Sequence, residues 1–417
     1  MNFYLEKYGF LPPQITSTPE HDLGLVVVIP CYNETSLIDS LNALKICAAT
    51  TCSVEVIVVI NNSADADVQV RRQNLTTCLE AEEWSGKNST HKMKFHILFQ
   101  NELPIKHAGV GLARKIGMDE AVARFESIGT DGIIVCFDAD SLCDENYLVE
   151  IENHFEKHTK TPGCAIYFEH PIKGSQFAHE VYQGIIYYEL HLRYYRQCLV
   201  YCQLPYAFHT VGSSMAVRSM AYQKQGGMNK RKAGEDFYFL HKIIQLGNFS
   251  ELNSTRVIPS PRISDRVPFG TGKAVGDWVN SSLENYMTYN FSSFELLKDF
   301  VELIPELYSD SFDSFKNKNN HAKKFDAFFQ YLDAEKFDQI LEEIKSNSTN
   351  LNSFISRFYR WFDAFKVLKL IHYLRDNQFP NSNIQTESFL LLNKIIKVNT
   401  KLSVVELLEH YRGLDKK

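Results

Sequence analysis

Two carboxylates set two residues apart, Asp138 and Asp140, follow directly on a short apolar run at 133–137. Residues i and i+2 at the end of a strand point the same way, so both side chains can face one hard cation. Mg²⁺ and Mn²⁺ take oxygen ligands and are usually held by one or two carboxylates together with substrate phosphates. The same residues also suit a turn that caps a following helix, so the pair alone leaves both readings open. A second acidic pair, Glu235 and Asp236, stands after Gly234 at the head of FYFLHKIIQLG. Leu240 and Ile244 mark a helix there, with Gly247 as its end. Carboxylates at the positive end of a helix stay ionised, which leaves an acceptor able to take a proton. Plain dipole complementation is the structural alternative.

Other polar groups gather at comparable places. The apolar run at 25–29 is followed by Pro30, Cys31, Tyr32, Asn33 and Glu34; the run at 54–60 is followed by Asn61, Asn62, Ser63, Ala64 and Asp65. Ligands of open α/β sheets bind beyond the carboxyl ends of the strands, so these ends are expected to converge with Asp138 and Asp140 on one site. Between them lies a small-residue segment from Lys106 to Gly117, where Leu112 and Ile116 signal the start of a helix. Arg114 and Lys115 could meet a diphosphate there, or simply flank a tightly packed helix. Gly109 and Gly111 lack the third glycine of a dinucleotide fingerprint. Gly270-Thr271-Gly272-Lys273 is not a phosphate loop, because Ala274 stands where Ser or Thr is required. Just before it, Arg262 and Arg266 sit in a loop bounded by Pro and Gly, and one of the two is expected to contact phosphate.

The elements that must position these groups are legible in the hydrophobic pattern. From 24 to 280, runs at 25–29, 54–60, 95–99, 133–137 and 165–168 alternate with helix-length segments. The runs are apolar on both faces, as suits strands buried between helix layers. Such alternation predicts βαβ units and a mainly parallel sheet flanked by helices. Beyond 281 helical periodicity takes over. Phe354, Phe358, Trp361, Phe365 and Leu368 form one amphipathic stripe, and Phe325, Phe328, Phe329 and Leu332 another. Asp333 is expected to cap a helix carrying Phe337, Ile340, Leu341 and Ile344, and 316–321 reads as an exposed loop. With Pro12 and Pro13, the first residues read as a loosely packed arm. The expected organisation is therefore an arm at 1–23, an α/β domain at 24–280 and a helical region at 281–417.

Composition narrows the classes. The 417 residues carry 44 Lys and Arg against 50 Asp and Glu, a net charge of −6, and no basic run that would point to nucleic acid. The longest apolar runs fall well short of the ~18–20 residues of a membrane helix. The start, MNFYLEKYGFLPP, is not a basic stretch followed by an apolar one, so no signal peptide is expected. Nine cysteines with no CxxC spacing read as reduced, mostly buried thiols rather than a disulfide framework or a zinc site. A cytoplasmic protein is expected, peripheral to the inner face of the membrane if it acts on a lipid-linked compound.

Six segments in order, VVVIPCYNE, VIVVINNSADAD, AGVGLARKIGMDEA, IVCFDADS, HTVGSSMAVRS and GGMNKRKAGEDFYF, resemble the family 2 glycosyltransferases. The resemblance spans about 25–247 and implies a GT-A-like fold with a C-terminal helical region outside it. It implies a hexosyltransferase-type enzyme using a nucleotide-sugar donor, UDP- or GDP-linked, with Mn²⁺ or Mg²⁺ as cofactor. Pro30, Tyr32, Asn33 and Glu34 would line the nucleotide pocket beside Asn62 and Asp65, and Arg114 would hold the nucleotide side of the donor. Asp138 and Asp140 would form the metal motif, with Asp138 also towards the ribose. Gly212, Ser213 and Ser214 would flank the cleft for sugar and acceptor. Asp236 would be the general base, with Glu235 beside it, and Arg266 or Arg262 would meet the diphosphate. In-line attack on the sugar would invert the anomeric centre.

One position departs from the family pattern. Ile60 and Asn61 stand where an acidic residue commonly ends the second strand, so base recognition would fall to Asn61, Asn62 or Asp65. A non-catalytic sugar-nucleotide or glycan-binding protein of the same fold is the alternative. A nucleotidyltransferase is a weaker one, because it needs a glycine-rich basic loop after the first strand. The acceptor (glycan, lipid-linked or small molecule) and a homo-oligomeric state stay open, as does a sugar-stacking role for the aromatic stretch from Tyr187 to Tyr195.

Overall fold

The computed structural model describes residues 2–281, 285–320, 323–398 and 400–417. The chain divides into two compact units. The first comprises 1–182, 209–277 and 415–417; the second comprises 183–208 and 278–414.

The first unit is built on an eight-stranded sheet: β1 (Leu23–Cys31), β2 (Ser53–Ser63), β3 (Met93–Leu103), β4 (Ile133–Cys136), β5 (Leu142–Cys143), β6 (Gly163–Phe168), β7 (Met215–Arg218) and β8 (Ser250–Ile258). Their order across the sheet is β3-β2-β1-β4-β7-β6-β8-β5. β1 pairs in parallel with β2 and with β4, and β2 with β3, whereas β7 runs antiparallel between β4 and β6. Its helices are α1 (Phe3–Tyr8), α2 (Leu37–Lys45), α3 (Val68–Asn88), α4 (Val110–Ile128), α5 (Tyr147–Lys157), α7 (Ser219–Lys224), α8 (Glu235–Ile244) and most of α9 (Thr271–Asn280), whereas α6 (His179–Tyr201) belongs mostly to the second unit. β1 is buried at all but one of its positions and β2 at all but its last, because helices cover both faces. This is the mainly parallel sheet flanked by helices expected from the runs. The antiparallel strand β7 was not foreseen, since four residues give too short a pattern to separate from a loop.

The amino-terminal segment is pinned rather than loose. Tyr4 is buried and donates to Asp119 at 2.7 Å, while the backbone N–H groups of Gln14 and Ile15 donate to Glu120. Tyr222 donates to the same Asp119 oxygen, Lys115 reaches both Tyr4 and Asp119, and the Phe10 N–H donates to the other oxygen, so a buried carboxylate finds four partners.

The second unit is helical: α10 (Phe291–Leu303), α11 (Phe312–Asn319), α12 (Asp326–Ala334), α13 (Phe337–Ser346), α14 (Leu351–Trp361), α15 (Ala364–Asn377), α16 (Ile384–Ile396) and α17 (Val404–Asp415), with one antiparallel pair of two-residue strands, Met287–Thr288 and Ser382–Asn383. The Phe325, Phe328, Phe329 and Leu332 stripe is buried as expected. Three details differ. The stripe from Phe354 to Leu368 is split between α14 and α15, because Asp363 caps a new helix by accepting from the Lys366 N–H. Asp333 lies inside α12, and α13 starts after Lys336 in the left-handed conformation. Residues 316–319 finish α11, whose buried Phe312 and Phe315 leave the Lys and Asn side chains outside; His321 lies outside the described residues. Tyr187 packs against Trp278, with ring centroids 4.5 Å apart. Among the described residues no helix is long and apolar enough to cross a membrane.

Candidate active site

Sheet register brings the polar strand ends together. Cys31 at the end of β1 lies opposite Ile60 of β2, and Val28 lies opposite Cys136, the last residue of β4. Because β7 runs the other way, its first residue, Met215, also faces Cys136. Gly212, Ser213 and Ser214 therefore enter the site that the ends of β1 and β4 leave.

Helix α4 must lie close against β1 and β2 for its first turn to reach this edge. Gly117 allows it: a Cβ there would come within 2.4 Å of the Val28 side chain. The approach buries Arg114, whose side chain is 2 % exposed. Its Nη2 donates to Asp138 Oδ1 at 2.8 Å and its Nη1 donates to Glu235. Gly212 lies over the guanidinium so closely that a Cβ would stand 2.8 Å from Nη1. One buried cation thus joins the first aspartate of the 138/140 pair, the acidic helix start and the Gly212 turn.

The charges in this cluster are strongly coupled. Burial works against the Arg114 charge, but Glu235 and Asp138 outweigh it and hold its pKa up. Burial pushes Asp138 up to about 6 against the pull of Arg114, and the nearby Asp140 adds to the rise. With 39 % of its side chain open to solvent, Asp138 keeps some hydration. Burial also raises Glu235, although Glu235 contacts Arg114. The contact is the stronger guide to its charge, since a buried guanidinium without its carboxylate would stand uncompensated.

The acidic pair at the start of α8 is divided in role. Glu235 is buried and taken by Arg114. Asp236 is half-buried, accepts from the neighbouring Phe237 N–H at 2.7 Å and, among the described residues, forms no ion pair. Burial raises its pKa as well. It is the acidic group left available to a bound hydroxyl.

On the other side of Asp140 the loop after β8 folds inward. Arg262 binds Asp140 through Nε and Glu34 through Nη2, the latter at 2.6 Å, and Arg266 reaches Glu34 at 3.2 Å and the carbonyl of Asn33. Glu34 is buried and also accepts from the N–H groups of Thr35 and Ser36. Its carboxylate therefore anchors the loop in this structure. Asn62 is buried, with its amide donating to the Asn101 carbonyl at 2.6 Å. Pro30 is buried, Tyr32 half-buried, and Asn33 and Asp65 are exposed at the rim. Asn33 adopts a left-handed backbone, φ 49°.

Sequence reasoning missed Asn74. It is fully buried on α3, accepts from the Asn33 N–H at 2.7 Å and donates to Asn61 O and Asn62 Oδ1. Its position on the same helix face as Thr77, Cys78 and Ala81 is the signal: a polar residue in a buried stripe needs partners.

Residues 133–282 match the family described as Glycosyl transferase family group 2. That segment, about a third of the chain, is what is similar to the family. Among solved structures the chain is similar to residues 1–349 of S. aureus TarS, with 16 % identity, a TM-score of 0.38, and 85 % of this chain and 87 % of that one covered. The same S. aureus fragment in complex with UDP-GlcNAc gives 15 % identity, a TM-score of 0.39 and coverage of 94 % and 88 %. No curated protein matches.

The donor set at Asp138 and Asp140 fits a hard divalent cation. Both are carboxylates, and Asp140 lies close enough to add to the rise of Asp138. Among the described residues no group of three or more His, Cys, Asp or Glu side chains could hold a metal ion. Two carboxylates are nevertheless the usual protein share where phosphate oxygens complete the shell.

Proposed function

We propose that the sheet unit transfers a sugar from a UDP- or GDP-linked donor to an acceptor hydroxyl, with inversion, in glycan or glycoconjugate synthesis. The observation that carries this is the Arg114 bridge. It fixes Asp138, beside Asp140, and the start of α8, with Asp236, about one point.

The nucleotide lies across the ends of β1 and β2, against Pro30, Tyr32 and Asn33, with Asn62 and Asp65 on the base side. Arg114 holds Asp138 in place next to the diphosphate, and Gly212 and Ser213 border the sugar. Asp138 and Asp140 would hold Mg²⁺ or Mn²⁺, which supplies neutralisation of the charge that builds on the leaving diphosphate. Asp236 accepts the proton of the acceptor hydroxyl as its oxygen bonds to the anomeric carbon. The bond from that carbon to the diphosphate oxygen breaks, and the nucleoside diphosphate departs with the bonding pair. Arg262 and Arg266 leave Asp140 and Glu34 to meet the donor phosphates, exchanging one set of charge-assisted bonds for another.

Transfer function is assigned to 24–280. Nucleotide release from UDP-, GDP-, dTDP- and CMP-sugars, with Mn²⁺, Mg²⁺ or chelator, tests the reading. Metal-dependent release from one donor supports it. Tight donor binding with no release, with or without candidate acceptors, would favour a binding protein.

A further inference from the structure

All nine cysteines are free thiols, and the transfer chemistry proposed above uses none of them. Six are buried; Cys47, Cys52 and Cys143 are partly open to solvent. Two of these three meet. Cys47, just beyond α2, and Cys143, the last residue of β5, have their sulfur atoms 3.8 Å apart. Their segments are already tied together, since the Ala48 N–H donates to the Glu145 carbonyl at 2.7 Å. A disulfide needs sulfurs about 2 Å apart, a closure within reach of side-chain rotation on backbones joined in this way. Ile46, Ala48, Ala49 and Leu142 beside the pair are exposed, so a small reagent can reach it.

The two sulfurs are not equivalent. Cys47 faces the start of α5, where the N–H groups of Leu148 and Tyr147 reach its sulfur. The first turn of α5 takes such a partner because its own cap is diverted. The Asn146 side chain accepts from Thr255 at 2.8 Å, donates to the Ser254 carbonyl and makes no capping bond to the helix. Helix N-termini stabilise thiolates. The contact with Cys143, together with these N–H groups, holds the Cys47 thiol below its ordinary value against burial and the Glu145 charge. Every other cysteine is pushed the opposite way. Burial and Glu152 push Cys52, the third partly open thiol, up to about 12. Cys143 is raised chiefly by Cys47 itself, a restraint that ends once the Cys47 sulfur is bonded and uncharged.

We infer that Cys47 and Cys143 are a redox pair that exchanges with small disulfides, Cys47 as the attacking thiol and Cys143 as the resolving one. The Cys47 thiolate attacks one sulfur of the small disulfide, whose S–S bond breaks, and the first small thiolate leaves with the bonding pair. Cys143 then gives its proton to solvent and attacks the Cys47 sulfur, and the second small thiolate leaves. Each departing thiolate takes up a proton that a protein thiol released. Two protein thiols are thereby oxidised to one disulfide, and the small disulfide is reduced to two thiols. The cross-link ties the end of α2 to β5, the strand that leads from Asp140 to α5 and pairs with the end of β8. No group of the sugar-transfer site takes part.

The test treats the full chain with oxidised glutathione and reads intact mass and unreduced peptide maps. Wild type should lose two thiols, with the peptides holding Cys47 and Cys143 joined to each other, and dithiothreitol should restore both thiols. Cys143→Ser should stop at the first step and carry glutathione on Cys47, whereas Cys47→Ser should leave Cys143 unmodified. In untreated wild type, limiting iodoacetamide should modify Cys47 about tenfold or more faster than Cys52, since the thiolate is the nucleophile. Folded wild type that keeps all its thiols, while the same chain in urea reacts with the reagent, overturns the proposal. So does glutathione that stays on Cys47 of wild type without cross-linking, and so does a first adduct on Cys143 or Cys52. Every overturning result is read on wild type, so a serine variant that unfolds does not shield the proposal.

Discussion

Arg262 stands on Asp140, its guanidinium bridging that carboxylate and Glu34, 2.6 Å from the latter. The loop after β8 thereby places a cationic side chain against the second carboxylate of the pair that would hold the metal. Asp140 and Glu34 raise the Arg262 pKa in spite of the burial that opposes its charge. A metal ion and Arg262 cannot use the same Asp140 oxygen together, so the loop and the cation compete until phosphate offers the arginine another partner.

Removing this competitor should expose the metal pair. Arg262→Ala is expected to bind Mn²⁺ about fivefold more tightly without nucleotide, the worth of a partly exposed ion pair of about 1 kcal/mol. Its turnover should fall, since the phosphate contact is lost as well. Titration followed by Mn²⁺ paramagnetic resonance checks the first part; unchanged metal affinity would show that Arg262 does not compete.

Arg114 should carry far more stability than its neighbours at the surface. Arg114→Met leaves Asp138 and Glu235 without their shared cation, and breaking a buried pair from one side costs about 3–5 kcal/mol. Adding Glu235→Gln should restore part of the loss, because one stranded charge is removed. Gly212→Ala should disturb the same cluster by crowding the guanidinium. Urea unfolding of the four proteins reads all three effects, and a single Arg114 variant as stable as wild type would remove the bridge from the account.

A separate buried pair sets an acid limit on folding. Burial alone would raise Glu55, but His96, 3.6 Å away, and the two-pronged contact from Arg124 at 2.6 and 2.7 Å hold it at about 2. With a folded pKa below the unfolded value of about 4.5, Glu55 contributes stability above about pH 4.5 and loses it as the pH falls towards 2. The shift corresponds to about 3 kcal/mol at 1.36 kcal/mol per unit. Glu55→Gln should be less stable at pH 7 and should flatten the stability profile between pH 5 and about 2; an unaltered profile would assign the acid limit elsewhere.

The first residues should prove part of the fold. Tyr4→Phe removes one donor to the buried Asp119 and leaves Lys115 with one partner fewer, a loss of about 1–3 kcal/mol. Thermal unfolding should show the drop, and deletion of residues 2–15 should exceed it. An intact melting temperature after the deletion would mean that the segment only rests on the sheet unit.

Much of this site was legible before the fold was known. Asp138, Asp140 and Asp236 stand out because strand ends and helix starts are marked by abrupt changes from apolar to polar residues. The family resemblance then supplied their order. What the pattern could not give was the partner of each group. Glu235 and Asp236 look equivalent in sequence, yet only helix phase turns one towards Arg114. Glu34 reads as a pocket residue until the loop after β8 closes on it from 228 residues away. Asn61 and Asn62 seemed to lie beyond β2, but the strand runs on to Ser63 because Asn74 satisfies their polar groups from α3. In the helical unit the stripe from Phe354 stops at the break before Asp363, and α15 buries Ala364, Val367, Ile371 and Leu374 instead of Phe365 and Leu368. Long-range pairing and helix breaks are invisible to spacing alone.

The most direct measurement compares Asp236→Asn with wild type on the donor that releases its nucleotide. Donor affinity by calorimetry and turnover with the accepted hydroxyl should separate. The account predicts affinity within about threefold of wild type, because Asp236 touches no other part of the cluster by an ion pair. Turnover should fall about a hundredfold to ten-thousandfold, the contribution of a positioned general base. Wild-type turnover in Asp236→Asn would contradict the assignment of the base, and with it the chemistry proposed for this site.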